Sequence, residues 1–201
     1  ILDGDDQNRV IKRVIKKMNL DEATWQPRQT QWFINKQKDE GRRIAKLTNK
    51  ATYVEEKMAD IYLEYQKTCE EEGVVDFAEI LLRCHEMLNK NPDLLLHYQK
   101  RFQHILVDEF QDTNEIQYLL LKQLVGKDGH ITVVGDDDQS IYSWRGAKSS
   151  NINRFIKDFN GARTLKLEQN YRSTTNILAA ANAVIRNNPE RLGKELWTEK
   201  E

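Results

Sequence analysis

The chain has 201 residues and a formal net charge of -1, with 39% hydrophobic and 31% charged residues. This length can bury one good core or somewhat more than one domain, and no apolar run approaches the roughly 20 residues of a membrane span. The near-neutral charge excludes a globally basic DNA-binding protein, so any contact with DNA must depend on a local surface. The first residues lack the basic and apolar regions of a signal peptide, and Cys69 and Cys84 are expected to be free thiols in a reducing cytoplasm.

The first half of the chain is predicted to be helical. Apolar residues recur there at helical spacing, Pro27 suits a first helical turn, and Gly41 indicates a helix end. Asp76 and Glu79, three residues apart, resemble a capping box. The charged residues form either solvated faces or a specific nucleic-acid contact. The predicted helices cover approximately residues 10–18, 27–41, 54–73, 77–88 and 93–102, with a polar, mobile connection at 42–52.

The second half alternates between short apolar runs and helical patterns. The apolar runs fit buried strands of a parallel sheet, and Asn114 can cap the helix after the first of them. Such alternation predicts an α/β fold class, in which a helical module is followed, from about residue 102, by part of a parallel sheet. The predicted strands are residues 105–107, 131–134 and 164–167, and the predicted helices are residues 114–124, 151–159 and 173–187.

Two carboxylates, Asp108 and Glu109, follow the first predicted strand. In open α/β sheets, the carboxyl ends of the strands form the edge where ligands bind. Adjacent carboxylates at a strand exit point in different directions, so one can hold Mg²⁺ while the other orients and deprotonates a water. The alternative is that the pair only leaves the strand and caps the next turn. The longer string VDEFQDTN at residues 107–114 favours the functional interpretation.

The second predicted strand ends in the string GDDDQSIYSWRG at residues 135–146. Its three consecutive carboxylates, at 136–138, repel one another unless cations or donors are near, so they either bind a metal or form a solvated loop. Gln139 is neutral and can bridge a phosphate oxygen to a protein group. Tyr142 and Trp144, beside Arg145, either form a platform on which bases stack or pack in a core.

A third polar string, LEQNYRS, occupies residues 167–173. Arg172 can present a fixed positive fork to a phosphate, and Tyr171 can stack on a nucleobase. The alternative is that Arg172 pairs with a carboxylate and Tyr171 packs in a joint between domains. Taken alone, this string favours the second, structural interpretation.

Together the three strings resemble the superfamily 1 DNA helicases of the UvrD/Rep/PcrA type. Residues 107–114 look like helicase motif II, residues 133–147 like motif III and residues 167–173 like motif IV, in the same order and spacing. The likeness covers essentially the whole chain, because it extends to QKDEG at 37–41, GVVDF at 73–77 and RLGKELWT at 191–198.

This resemblance implies a partial RecA-like parallel-sheet domain, as in P-loop NTPases, together with an all-helical insertion domain. It assigns residues 1–102 to the helical 1B subdomain, residues 103–168 to the carboxyl-terminal part of motor domain 1A, and residues 169–201 to the start of motor domain 2A. The chain is therefore expected to be an internal fragment of such a helicase.

The resemblance also implies ATP and Mg²⁺ as cofactors and a role for each candidate residue. Asp108 would hold Mg²⁺, and Glu109 would be the catalytic base. Gln139 would sense the γ-phosphate and couple it to DNA. Arg172 would be an arginine finger to the γ-phosphate, and Tyr171 would stack on adenine.

The expected macromolecular partner is single-stranded DNA, including its junctions with duplex DNA. By the resemblance, Tyr142 and Trp144 would face the bases and Arg145 would support that surface. The family moves 3′ to 5′ along one strand and works in the cytoplasm with excision-repair and mismatch-repair proteins. No membrane contact is expected, and self-association is left open.

One motif of the family does not occur in the chain. There is no phosphate-binding string G-x-x-x-x-G-K-[S/T], because the Gly-Lys pair at 126–127 is followed by Asp128. We therefore expect this chain alone neither to hydrolyse ATP appreciably nor to unwind DNA.

Two other functions remain open at this point. The first is a non-catalytic module that grips single-stranded DNA or a repair partner. The second is a metal-dependent nuclease or phosphatase that uses Asp108, Glu109 and the aspartates at 136–138. The resemblance disfavours the nuclease or phosphatase, because the string QSIY at 139–142 has no obvious role there.

Overall fold

The computed structural model describes residues 1–44, 52–142, 146–148, 150–188 and 193–200. Within these ranges the chain is a mixed α/β protein, mostly helical, and none of its helices is both long and apolar enough to cross a membrane. The helices are α1 (Gly4–Lys17), α2 (Pro27–Asp39), α3 (Tyr53–Glu71), α4 (Phe77–Lys90), α5 (Pro92–Arg101), α6 (Glu115–Val125), α7 (Ser150–Asp158) and α8 (Thr175–Ile185). The strands are β1 (His104–Val107) and β2 (His130–Val133), so the predicted helices and the first two predicted strands are confirmed.

The chain divides into two compact units. The first comprises Ile1–Leu106 and Thr113–Thr132, and the second comprises Val107–Asp112 and Val133–Glu201. The assignment of residues 1–102, 103–168 and 169–201 to three helicase domains stays a prediction.

The core of the first unit lies between α1, α2 and α3. Each of these helices has an apolar stripe at helical spacing, and burying the three stripes against one another removes them from water. Trp25, just before α2, closes the cluster. The buried residues are Val10, Ile11, Val14, Ile15, Trp25, Ile34, Ile61, Tyr62, Tyr65 and Cys69.

A buried ionic cluster joins α2 to α4 in this unit. The Lys38 ammonium, on a side chain only 1% exposed, lies 2.6 Å from Asp76 and 3.0 Å from Glu79. Tyr65 donates a hydrogen bond of 2.8 Å to Asp76, and Arg43 lies 2.7 Å from Glu79. Burial alone would raise the pKa of Glu79, but these cations outweigh it and lower that pKa to about 2. Glu79 is therefore ionised, and its charge is paired inside the cluster, as a buried charge must be.

Two local predictions are modified by this cluster. Asp76 caps α4 by accepting from the Glu79 backbone N–H at 2.8 Å, but the Glu79 side chain turns to Lys38 and Arg43 instead of completing a capping box. The predicted mobile connection at 42–52 includes Arg43, which also binds Glu86 at 2.8 Å, whereas residues 45–51 lie outside the described residues.

The two strands form a parallel pair. His130 N donates to Gln103 O at 2.8 Å, and Val134 N donates to Val107 O at 2.7 Å. The donor lies 27 positions after the acceptor in both bonds, so the two strands run in the same direction. This register brings the residues after β1 beside the residues after β2.

The third predicted strand, residues 164–167, is wrong. No strand forms there in the described part of the chain, and Leu165 and Leu167 are 85% and 80% exposed. An apolar run becomes a strand only where a neighbouring strand supplies its hydrogen-bond partners, and none lies beside this segment within the described ranges.

Candidate functional site

Asp108 and Glu109 are exposed on the turn that follows β1 in the second unit. Asp108 Oδ1 accepts a hydrogen bond of 2.9 Å from the Glu109 backbone N–H. Glu109 has a backbone φ of 49°, in the left-handed region that few residues other than glycine adopt. Such strain persists only where surrounding contacts impose it, and it is concentrated at functional sites.

The Gln111 side chain joins this turn to the loop after β2. It is 1% exposed, its Nε2 donates to Glu109 Oε2 at 2.7 Å, and its Oε1 accepts from Asp136 N at 2.9 Å. The amide uses its donor and its acceptor at once, and a carboxylate could not do the same. One buried side chain therefore fixes the position of Glu109 relative to the second loop.

Asp136 continues the same chain of hydrogen bonds to Gln139. Its Oδ2 accepts from Gln139 Nε2 at 2.7 Å, and Lys194 forms an ion pair with its Oδ1. Burial alone would raise the pKa of Asp136, but Lys194 and Gln139 outweigh burial and lower that pKa. The result is one connected path from Glu109 through Gln111 and Asp136 to Gln139, which we call the Gln111 relay.

Gly135 is required by the close approach of Gln111. A Cβ at this position would lie 2.8 Å from Gln111 Oε1, which is closer than real Cβ contacts. The Gln111 side chain is buried and hydrogen-bonded at both ends, so it has no free direction in which to retreat. The requirement for glycine at position 135, just after β2, is therefore steric.

Phe110 holds the turn after β1 in place through buried contacts. It is 1% exposed, its N–H donates to Val134 O at 2.9 Å, and its ring meets Phe155 of α7 edge-on at 5.6 Å between centroids. A buried aromatic next to two exposed carboxylates holds the loop while leaving the carboxylates accessible.

Carboxylate oxygens of the kind that Mg²⁺ prefers are present at two places. Asp108 is exposed, and its Oδ2 has no hydrogen bond within the described residues. The aspartates at 136–138 bring one oxygen each within 4.8 Å of one another. Asp136 already satisfies its charge with Lys194 and Gln139, so Asp108 fits a metal ligand better than Asp136 does.

The third predicted string forms a separate turn around Asn170. Asn170 Oδ1 accepts from the backbone N–H groups of Arg172 and Ser173 at 2.9 and 2.8 Å. Tyr171 is 72% exposed and donates to Gln169 at 2.8 Å. Within the described residues, no hydrogen bond or ion pair joins Arg172 to Glu109.

The predicted DNA platform is described only in part. Tyr142 is half-buried, and its carbonyl accepts from Ala147 N at 3.3 Å. Trp144 and Arg145 lie outside the described residues. Their role stays a prediction.

Comparison with known families decides what the motifs belong to. Residues 1–160 match the model of the UvrD/REP helicase N-terminal domain. The chain belongs to the UvrD/REP helicase family. The interpretation of the sequence as one of this helicase type is thereby confirmed.

Relatives in this UvrD/REP family match along nearly the whole chain. DNA helicase II of Salmonella typhimurium and of Escherichia coli are each 57% identical over 199 residues, which is 99% of this chain and 28% of theirs. The ATP-dependent DNA helicase PcrA of Bacillus subtilis is 44% identical over 200 residues, which is 99% of this chain and 27% of PcrA. The chain therefore spans a little over a quarter of the length of the curated relatives it matches.

Sequence reasoning missed two residues of this candidate site. Gln111 lies inside the string VDEFQDTN at 107–114, and its buried amide was not singled out, although a glutamine between carboxylates is a signal for a bridging amide. Lys194 is 58 positions from Asp136 in the sequence, so no local pattern could have paired them.

Proposed function

We propose that this chain is part of an ATP-dependent DNA helicase that moves 3′ to 5′ along single-stranded DNA and unwinds duplexes in DNA repair. The Gln111 relay carries the proposal, because it ties the carboxylate after β1 to the glutamine after β2 through two hydrogen bonds to one buried amide and a third to Asp136. The family match and the ATP dependence named for the relative PcrA support it.

In this proposal the exposed carboxylates have different roles. Asp108 would hold Mg²⁺, which when bound would neutralise charge on the phosphates of ATP. Glu109 accepts the proton of the attacking water, and its hydrogen bond from Gln111 fixes the orientation of its carboxylate. Gln139 senses the γ-phosphate, and the relay passes its position to Glu109.

The remaining assignments rest on the family motifs. Arg172 supplies positive charge to the γ-phosphate, and Tyr171, exposed on the Asn170 turn, stacks on adenine. Tyr142 and Trp144 hold bases of single-stranded DNA, and Arg145 supports them. Closure and reopening of two motor domains around ATP would then move the strand past these aromatic side chains.

A metal-dependent nuclease or phosphatase is the weaker candidate. It would need the aspartates at 136–138 as free ligands, whereas Asp136 accepts from Lys194, Gln139 and the Asp138 N–H. Sequencing the flanking gene tests the alternative of a purely binding module. A phosphate-binding loop encoded upstream supports a motor, and its absence supports the module.

The decisive experiment uses Glu109→Gln in the full-length protein. This change removes the base but keeps a similar shape, so DNA-stimulated ATP turnover should fall by at least about a hundredfold while the Kd for ATP stays within about twofold. Glu56→Gln, an exposed carboxylate in the first turn of α3, is the matched control and should leave turnover unchanged. Near wild-type turnover by Glu109→Gln would disprove the assignment of the base.

A further inference from the structure

Helix α2 differs in charge from the helix that follows it. Its 13 residues include three cations and a single carboxylate, Asp39, which lies at its last position. By contrast, α3 has six carboxylates along its 19 residues. Arg28 and Lys36 are exposed, whereas Lys38 is buried in the ionic cluster, so the outer face of α2 is a local positive surface on a chain whose net charge is nearly zero.

The exposed face of α2 combines these cations with aromatic side chains. Arg28, Trp32 and Lys36 follow one another at intervals of four residues and so line one side of the helix. Gln29 and Phe33 form the adjacent row, the first exposed and the second half-buried. We call these five residues the α2 patch.

Trp32 is the exposed centre of the α2 patch. Its side chain is 58% exposed, which is unusual because tryptophan is highly buried on average. The Lys36 ammonium lies 4.9 Å from the centre of its ring, so one cation and one aromatic surface are presented together. The α2 patch thus offers a ligand both a stacking surface and positive charge.

Within the described residues, no carboxylate neutralises the cations of the α2 patch. Neither Arg28 nor Lys36 makes an ion pair within the described ranges, whereas Lys12 and Lys17 of the neighbouring helix α1 pair with Glu22 and Glu64. Two cations that have no carboxylate partner in the described part of the chain lie on either side of an aromatic ring, and this arrangement is complementary to a phosphate backbone with bases.

We propose that the α2 patch binds single-stranded DNA. Arg28 and Lys36 contact phosphates about 12 Å apart along the helix, and Trp32 stacks on an unpaired base between them. A duplex is the poorer ligand, because its bases are already stacked and leave Trp32 without a partner. The inference rests on the proposed function for its ligand, but it uses none of the residues assigned to the motor.

The test measures binding by the full-length protein to a fluorescein-labelled oligothymidylate, by anisotropy over a series of KCl concentrations. Trp32→Ala should weaken binding by about tenfold, the loss of one stacked base. The double variant Arg28→Ala/Lys36→Ala should reduce the slope of log K against log salt by about 1.4, the value for two single-strand phosphate contacts.

Tyr53→Ala is the matched control. Tyr53 is a 71% exposed aromatic in the first turn of α3, where the neighbours are Glu55 and Glu56 rather than cations. Its removal should leave both the affinity and the salt slope unchanged. If Trp32→Ala fails to fold, the double variant decides alone, because both of its residues are exposed.

The outcomes separate this inference from the proposed function. A wild-type protein without DNA-stimulated ATP turnover overturns the proposed function. Normal turnover in the wild type, with both α2 patch variants matching the Tyr53→Ala control in affinity and salt slope, overturns the α2 patch alone. A loss of affinity confined to duplex DNA, or a loss seen only in binding to a protein partner, also overturns it.

Discussion

Gln111 donates a hydrogen bond of 2.7 Å to the carboxylate of Glu109. Replacing Gln111 by Glu in the full-length protein would place a second carboxylate against Glu109 while keeping an acceptor for the Asp136 N–H. Repulsion should then displace Glu109, and ATP turnover should fall by about 10- to 100-fold with little change in the Kd for ATP. Steady-state turnover and nucleotide binding measure the two effects separately.

Gln117→Glu is the control for this change. Gln117 accepts from the Asn114 N–H in the capping box of α6, and a glutamate can do the same. Its turnover should equal that of the wild type. Equal turnover by the Gln111→Glu variant would show that the relay does not position Glu109.

Gly135→Ala should disturb the Gln111 relay at the hydrogen bond between Gln111 and the Asp136 N–H. The added Cβ would lie 2.8 Å from Gln111 Oε1 and force that oxygen off the Asp136 N–H. We expect turnover to fall by about tenfold, as for loss of one positioning contact. Gly4→Ala is a suitable control, because its Cβ would meet only Gln31 at 3.8 Å, and both variants can be compared by turnover and thermal stability.

Asp39 should make the stability of the protein depend on pH. Burial and the nearby charge of Asp76 raise the pKa of Asp39 from 3.8 to about 6, against the hydrogen bond from Asn114. A raised carboxyl pKa means that the folded state binds the proton more readily than the unfolded state, so this residue costs stability as pH rises through that window.

Asp39→Asn removes the charge but keeps an oxygen to accept from Asn114. At pH 7.5 it should stabilise the chain by about 1 kcal/mol, allowing for partial exposure of Asp39, and raise the Tm by about 2–4 °C. The gain should vanish near pH 4. Thermal unfolding followed by circular dichroism checks this, with the exposed Asp128→Asn as a control that should show no such trend; a gain independent of pH would contradict it.

Lys38→Met should strongly destabilise the first unit. The change keeps most of the side-chain volume but leaves Asp76 and Glu79 buried without the ammonium that lies within 3.0 Å of both. The free energy of unfolding should fall by about 3 kcal/mol in urea denaturation, because removing one partner leaves buried charge uncompensated. Lys36→Met, two positions earlier on the exposed face, should change it by less than about 0.5 kcal/mol.

Sequence patterns predicted the helices well because a helix is specified by residues close in sequence. The spacing of Val10, Ile11, Val14 and Ile15, for example, defines a buried stripe before any partner is known. Strand prediction failed at 164–167 because a strand needs a neighbour, and alternating Leu165 and Leu167 say nothing about whether one is present.

The residues of the candidate site could be predicted from the sequence, but the contacts between them could not. Asp108, Glu109 and Gln139 were identifiable from motif strings, whereas the hydrogen bonds that connect them depend on the register of β1 against β2. That register places Val134 opposite Val107, and the two lie 27 positions apart in sequence. No local pattern contains this register, so the hydrogen bond from the Asp136 N–H to Gln111 was found only in the structure.

Helix α2 presents Trp32 to solvent and Lys38 to the interior, six positions apart. One inserted or deleted residue between them would rotate the following turns by about 100° relative to the preceding ones. Either Lys38 would be turned out of its pocket or the preceding tryptophan would be pulled into the core. We therefore expect this helix to tolerate substitution on its outer face far more readily than any change in its length.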